Sequence, residues 1–61
     1  MKYNELEKIL KKNGCYFLEN SKNGHPIWFS PTTQKKFRMS NHRSEEVRNG
    51  TLKSILRDAG I

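Results

Sequence analysis

Asn23-Gly24 is the feature that most limits what this chain can become. The dipeptide favours a tight reversal between two antiparallel strands, and apolar runs of strand length stand on both sides of it. Before it comes Cys15-Tyr16-Phe17-Leu18, rich in aromatic and β-forming residues. After it comes His25 to Ser30, in which Pro26 lacks the N–H a ladder needs and so belongs at a strand start or on an edge. Pro31-Thr32-Thr33-Gln34 reads as a second turn, leading to a third strand at Lys35 to Met39. The order predicts a meander of three antiparallel strands.

A helix pattern flanks the meander at each end. Leu6, Ile9 and Leu10 recur at i, i+3 and i+4, one apolar stripe, over about residues 5–13. Asn4 is placed to cap that helix, Glu7 to complete a capping box, and Gly14 to end it. Leu52, Ile55 and Leu56 form a second stripe, with Thr51 as cap, Gly60 as terminator and Ile61 expected to fold back beyond Gly60 onto that stripe. Between strand three and this helix, Ser40 to Asn49 reads as a surface connection with one helical turn at Ser44-Glu45-Glu46-Val47. The expected fold is a single α+β domain, residues 1–61. Its order is α-β-β-β-α, with two helices on one face of a three-stranded antiparallel sheet, as in double-stranded-RNA-binding domains.

Alternation places His25, Ile27 and Phe29 on one face and Pro26, Trp28 and Ser30 on the other. The expected open face has Trp28 and Arg38, with Tyr16 or Phe17 beside them. There Trp28 stacks a base; in the opposing reading it packs under a helix. The register of the first hairpin stays open. A three-residue loop would pair Phe17 with the Ile27/Phe29 face, and a two- or four-residue loop would select Tyr16 and Leu18.

Charge narrows the partners. Twelve basic residues against six acidic ones give a formal net charge of +6, which favours a polyanion: nucleic acid or an acidic protein. One cysteine cannot form an internal disulfide, no apolar run approaches a membrane span, and no signal-peptide pattern precedes the first helix. These point to a soluble cytoplasmic protein with no membrane partner.

Few residues offer chemistry. His25 comes first, because histidine is the side chain best suited to take or give a proton at working pH. No carboxylate, serine or cysteine stands at a fixed spacing to complete a triad with it. His42, next to Arg43, reads as a solvated loop residue. Cys15, His25 and His42 lack the paired spacing of a zinc site, and the glycines form no phosphate-binding loop. No metal or cofactor is expected. Lys22, Lys36, Arg38 and Arg43 are the candidate RNA-binding cations, able to make salt-sensitive phosphate contacts.

Three segments together carry a family resemblance. "LEKILKKNGCYF" is similar to the opening helix, glycine and first strand of the HicA toxins of bacterial toxin–antitoxin systems, which usually have tryptophan where Cys15 stands. "NGHPIWFSP" resembles their G-S-H-H-[IHQ]-[YF]-x-[HN]-P stretch, and "GTLKSILRDAGI" their C-terminal G-T-[LV]-x-x-I-L-x-x-A-G-[IL]. The first histidine of G-S-H-H, the family's catalytic residue, matches His25. Asn23-Gly24 replaces the family's Gly-Ser, and Pro26 its second histidine. Ser40-Asn41-His42 loosely matches a V-P-x-H-like segment after strand three. The resemblance implies a metal-independent endoribonuclease that cleaves mRNA and is neutralised by a HicB-type antitoxin. The competing reading is a non-catalytic RNA-binding module. A DNA-binding regulator is a third, but no helix-turn-helix pattern supports it.

Overall fold

In a computed structural model describing residues 1–61, the chain runs α1 (Tyr3–Lys12), β1 (Tyr16–Asn20), β2 (Pro26–Ser30), β3 (Lys35–Arg38) and α2 (Asn49–Ala59). The strands form one antiparallel sheet in the order β1-β2-β3, so the predicted α+β meander is the observed one. Both helices lie on the same side of it. Leu6 and Leu10 of α1, Ile55 and Ala59 of α2, and Trp28, Phe37 and Met39 from the sheet segment share a single buried cluster with Cys15 and Val47.

The face of β2 that enters this core is the opposite of the expected one. Trp28 is 5% exposed and stands directly across from Phe37, while Ile27 and Phe29 are only half-buried on the outer face. Trp28 therefore does not lie on the open face, and base stacking on its ring there is ruled out. Two physical reasons favour this arrangement. Tryptophan has the largest apolar surface to remove from water. Ser30, on the same side, is small enough for α2 to approach, and its fully buried Oγ donates to the Ala59 carbonyl at 2.8 Å. The outer face instead presents Tyr16 and Phe29, whose ring centroids are 5.6 Å apart, with Ile27, Lys36 and Arg38.

The first hairpin resolves its open register in a way neither alternative anticipated. The loop has three residues: Ser21 N–H donates to the His25 carbonyl, and Gly24 N–H to the Ser21 carbonyl. Gly24 has φ +80°, the left-handed conformation this turn demands and glycine adopts without strain. A β-bulge then intervenes, because Glu19 pairs with Ile27 but Phe17 pairs with Trp28. Leu18 is the extra residue. The slip by one residue turns Phe17 to the helix side and Tyr16 to the outer face.

Both helices start earlier than their sequence caps suggest. α1 begins at Tyr3, and its first amides are satisfied by the 43–45 loop: Tyr3 N–H donates to the Glu45 carbonyl at 3.1 Å and Asn4 N–H to the Arg43 carbonyl at 2.9 Å. Backbone carbonyls thus take the role expected of the Asn4 side chain, which makes no cap bond. α2 begins at Asn49, after Arg48, so Thr51 lies inside the helix rather than at its cap. No helical turn forms at Ser44–Val47. Glu46 makes an antiparallel bridge with Lys2, its carboxylate pairs with the Met1 ammonium, and Val47 N–H donates to the Met1 carbonyl. The hydrogen bond to the Glu46 carboxylate, helped by its negative charge, raises the pKa of that ammonium.

α2 ends at Gly60 as predicted, left-handed at φ +80°, and Ile61 N–H donates back to the Leu56 carbonyl at 3.0 Å, but the Ile61 side chain stays exposed instead of packing on the stripe. This terminus is clamped against the β2–β3 turn, where the Thr33 hydroxyl donates to the Asp58 carbonyl. A Cβ on Gly60 would lie 2.9 Å from Thr33 Cγ2. Gly60→Ala is therefore expected to destabilise by more than about 1 kcal/mol, lowering the melting temperature by several degrees. Ile55 is 3% exposed, whereas Leu52 and Leu56 pack against the core only partly buried. Ile55→Ala should cost about 2–5 kcal/mol and Leu56→Ala distinctly less. Equal losses in thermal melts would show that α2 is rotated relative to this description.

Candidate active site

The site is assembled around the end of the sheet where the first hairpin turns. His25 leaves the Asn23-Gly24 turn immediately before β2 and is exposed. Its backbone is held at both polar groups: the N–H donates to Ser21 Oγ at 3.2 Å, and the carbonyl accepts from Ser21 N–H at 2.8 Å. The imidazole thus projects from a fixed main chain into solvent, an arrangement suited to a group that must reach a large substrate.

The chain after β3 returns to the same place. Met39 N–H donates to the Pro26 carbonyl at 2.9 Å, and Asn41 Nδ2 donates to the Gly24 carbonyl at 3.0 Å. These bonds tie the 39–43 segment to the residues on either side of His25. They also bring His42, next to Asn41, to the same end of the sheet as His25, although 17 residues separate the two in sequence. His42 is exposed, and its backbone N–H donates to Ser40 Oγ at 3.1 Å.

The candidate cations divide into two groups. Lys22 lies in the hairpin loop itself, and Arg43 follows the Asn41 tether. Arg38 pairs across from Ile27, two residues from His25. Lys36, opposite Phe29, lies one repeat further along the outer face. Lys22, Arg38 and Arg43 therefore border the His25 end of the sheet, while Lys36 belongs to the open face beyond it. No three His, Cys, Asp or Glu side chains converge as a metal site would require, and Cys15 is buried in the core.

A cleft of about 250 Å³ adjoins this end, between α1, β1 and the chain after β3. Pro26, next to His25, forms part of its wall, with Trp28 and Met39 beneath. Glu7, Lys11 and Arg43 form its rim. The Glu7 carboxylate is held between Lys11 Nζ at 3.1 Å and Arg43 Nε at 3.4 Å. Sequence reasoning gave Glu7 a capping-box role, which the structure replaces with ion pairs to Lys11 and Arg43; it named Asn41 only within the segment after strand three and gave Lys11 no role. The i, i+4 spacing of Glu7 and Lys11 was a legible signal for their ion pair. Nothing in the sequence announced the tether from Asn41 to Gly24.

No helix is long and apolar enough to cross a membrane. Among curated proteins and solved structures, none matches the chain. The family model describing the HicA toxin of bacterial toxin–antitoxin systems matches residues 3–61, from the first residue of α1 to the last residue of the chain. Its span covers all three segments that carried the resemblance, including the turn that presents His25. The chain belongs to the HicA toxin family.

Proposed function

We propose that this protein is the toxin of a toxin–antitoxin system and acts as an endoribonuclease on mRNA, with His25 as its catalytic base. What supports the reading is one conjunction: a HicA family match over residues 3–61, and an exposed histidine at a rigid turn with basic side chains around it. In the proposed step the neutral imidazole takes the proton of a ribose 2′-hydroxyl. The 2′-oxygen then forms a bond to the adjacent phosphorus as the bond to the 5′-oxygen breaks. The leaving oxygen takes a proton from solvent. The products are a 2′,3′-cyclic phosphate and a 5′-hydroxyl end, with no metal involved.

Lys22, Arg38 and Arg43 are assigned to the phosphates on either side of the scissile bond, where they oppose the negative charge that develops on the phosphoryl oxygens. Lys36 is assigned to a more distant phosphate. The partner is an antitoxin of the HicB type, and the +6 charge suits an acidic surface on it as well as RNA. The proposed place of action is the cytoplasm, where mRNA is found.

His25→Ala should keep the fold, because the residue is exposed and its hydrogen bonds are made by the backbone. Loss of a general base typically lowers the rate about 10²–10⁴-fold, so cleavage of single-stranded RNA and growth arrest on induction should both disappear. Native rates in the His25→Ala variant would defeat the assignment. A native chain that binds RNA and never cuts it between pH 5 and pH 9 would instead establish a non-catalytic RNA-binding module.

Binding should also respond to salt. If several phosphates are contacted, affinity should drop by an order of magnitude or more between about 50 mM and 200 mM salt. A flat dependence in a titration of His25→Ala with RNA would exclude the basic surface as the site.

A further inference from the structure

Phe17 is on the wrong side of the sheet to be as exposed as it is. The bulge at Leu18 pairs it with Trp28 and directs it to the face the helices cover. Yet Phe17 remains 50% exposed while Trp28, its partner, is 5% exposed. The reason is the cleft: α1 covers Trp28 but stands away from β1, leaving the Phe17 ring as an uncovered aromatic wall. Below it lie Trp28, Pro26 and Met39, all buried. Above it are polar groups of one kind of complementarity. The Glu7 carboxylate accepts hydrogen bonds, Asn41 adds an amide, and Lys11 and Arg43 are cationic.

We infer that this cleft is a nucleobase pocket, which takes one unstacked base of the RNA beside the phosphodiester addressed by His25. The inference rests on the reading of the chain as an RNA-cleaving toxin. Proteins read single-stranded RNA by splaying out bases, stacking them on aromatic rings and hydrogen-bonding their edges. The cleft supplies each element: the ring of Phe17 for stacking, Glu7 and Asn41 for the edge, and two cations for the flanking phosphates. At about 250 Å³ it is smaller than the roughly 300–1,000 Å³ of pockets that enclose drug-sized ligands, which suits one ring system with its sugar outside. Connectivity fits as well. Pro26 of the wall is bonded to His25, and Asn41 of the rim is tied to Gly24 on the other side of it. A base in the cleft would thus bring its phosphodiester to the end of the sheet where the turn presents His25.

Glu7 gives the pocket a preference. A carboxylate only accepts, so it favours a base edge with an amino group. Uracil offers one N–H between two carbonyl oxygens, which the carboxylate repels. The pocket should prefer guanine, cytosine or adenine to uracil at this position.

The test needs no RNA cleavage. Nucleoside 5′-monophosphates and, as a base-free control, ribose 5-phosphate are titrated into the native chain while the aromatic NMR signals of Phe17 and Trp28 are followed. Saturable shifts with the nucleotides and none with ribose 5-phosphate are expected, weakest for uridine monophosphate. In parallel, Phe17→Ala should weaken binding of a short RNA with a 2′-deoxy cleavage site by about tenfold or more, and Phe17→Tyr should restore it. Glu7→Gln should narrow the gap between uridine and the other nucleotides. The pocket is refuted if ribose 5-phosphate shifts the same signals as the nucleotides. It is also refuted if nucleotides leave Phe17 and Trp28 unmoved while the antitoxin shifts them, which would make the cleft a protein-docking site. Nucleotide-induced shifts in a chain that never cuts RNA would uphold the pocket and remove the catalytic reading, so the two can fail separately.

Discussion

Burial of Trp28 is the constraint on which the other features depend. The residue sits at the centre of the middle strand, with Phe17 across from it on β1 and Phe37 on β3, so three aromatic rings cross the sheet on one side. Removing 150–250 Å² of such a ring from water is worth roughly 4–6 kcal/mol, comparable with the whole net stability of a small domain. A 61-residue chain has no second core to fall back on. Both helices therefore converge on the Trp28 side, and the other face of the sheet is left open.

That choice also positions the candidate site. Once Trp28 faces inward, Pro26 must do so as well, because residues two apart share a face. Pro26 then fits the end of the core where the 39–43 segment crosses, and its carbonyl accepts the Met39 N–H. His25 is pinned one residue outside the core, at the point where the turn and the crossing segment meet. The role of base proposed for His25 calls for this combination of a held main chain and an exposed side chain. The neighbouring cations come from three separate parts of the sequence, the hairpin loop, β3 and the segment after it. Only the closure of the sheet places them at one end.

The bulge at Leu18 has a similar consequence on the far side of β2. A regular three-residue hairpin would have set Phe17 opposite Phe29 on the outer face. The extra residue exchanges Phe17 and Tyr16 instead. One ring becomes the wall of a cleft, while the other pairs with Phe29 at 5.6 Å. A bulge commonly has this effect, since it re-aims a side chain on the bulged strand.

The sequence by itself determined the order of elements. Asn23-Gly24, Pro31 and the two helical stripes specify local backbone states, and local states can be read from neighbouring residues. It determined the left-handed end of α2 at Gly60 for the same reason, and it singled out His25 as the one group able to exchange protons beside a turn. The three matching segments were legible as a HicA resemblance, and the family match over residues 3–61 agrees with them. Only the tertiary structure decided which face of β2 is inside, because Trp28/Ser30 and Ile27/Phe29 are both plausible apolar sets. The choice fell to the packing of helices that lie far away in sequence, and to the Ser30–Ala59 hydrogen bond. The start of α1 was decided in the same way, by carbonyls of Arg43 and Glu45 that replace the expected Asn4 cap. So was the cleft beside His25, whose walls come from α1, β1, β2 and the chain after β3. Such a surface exists only after long-range contacts have formed, and no local pattern of residues encodes it.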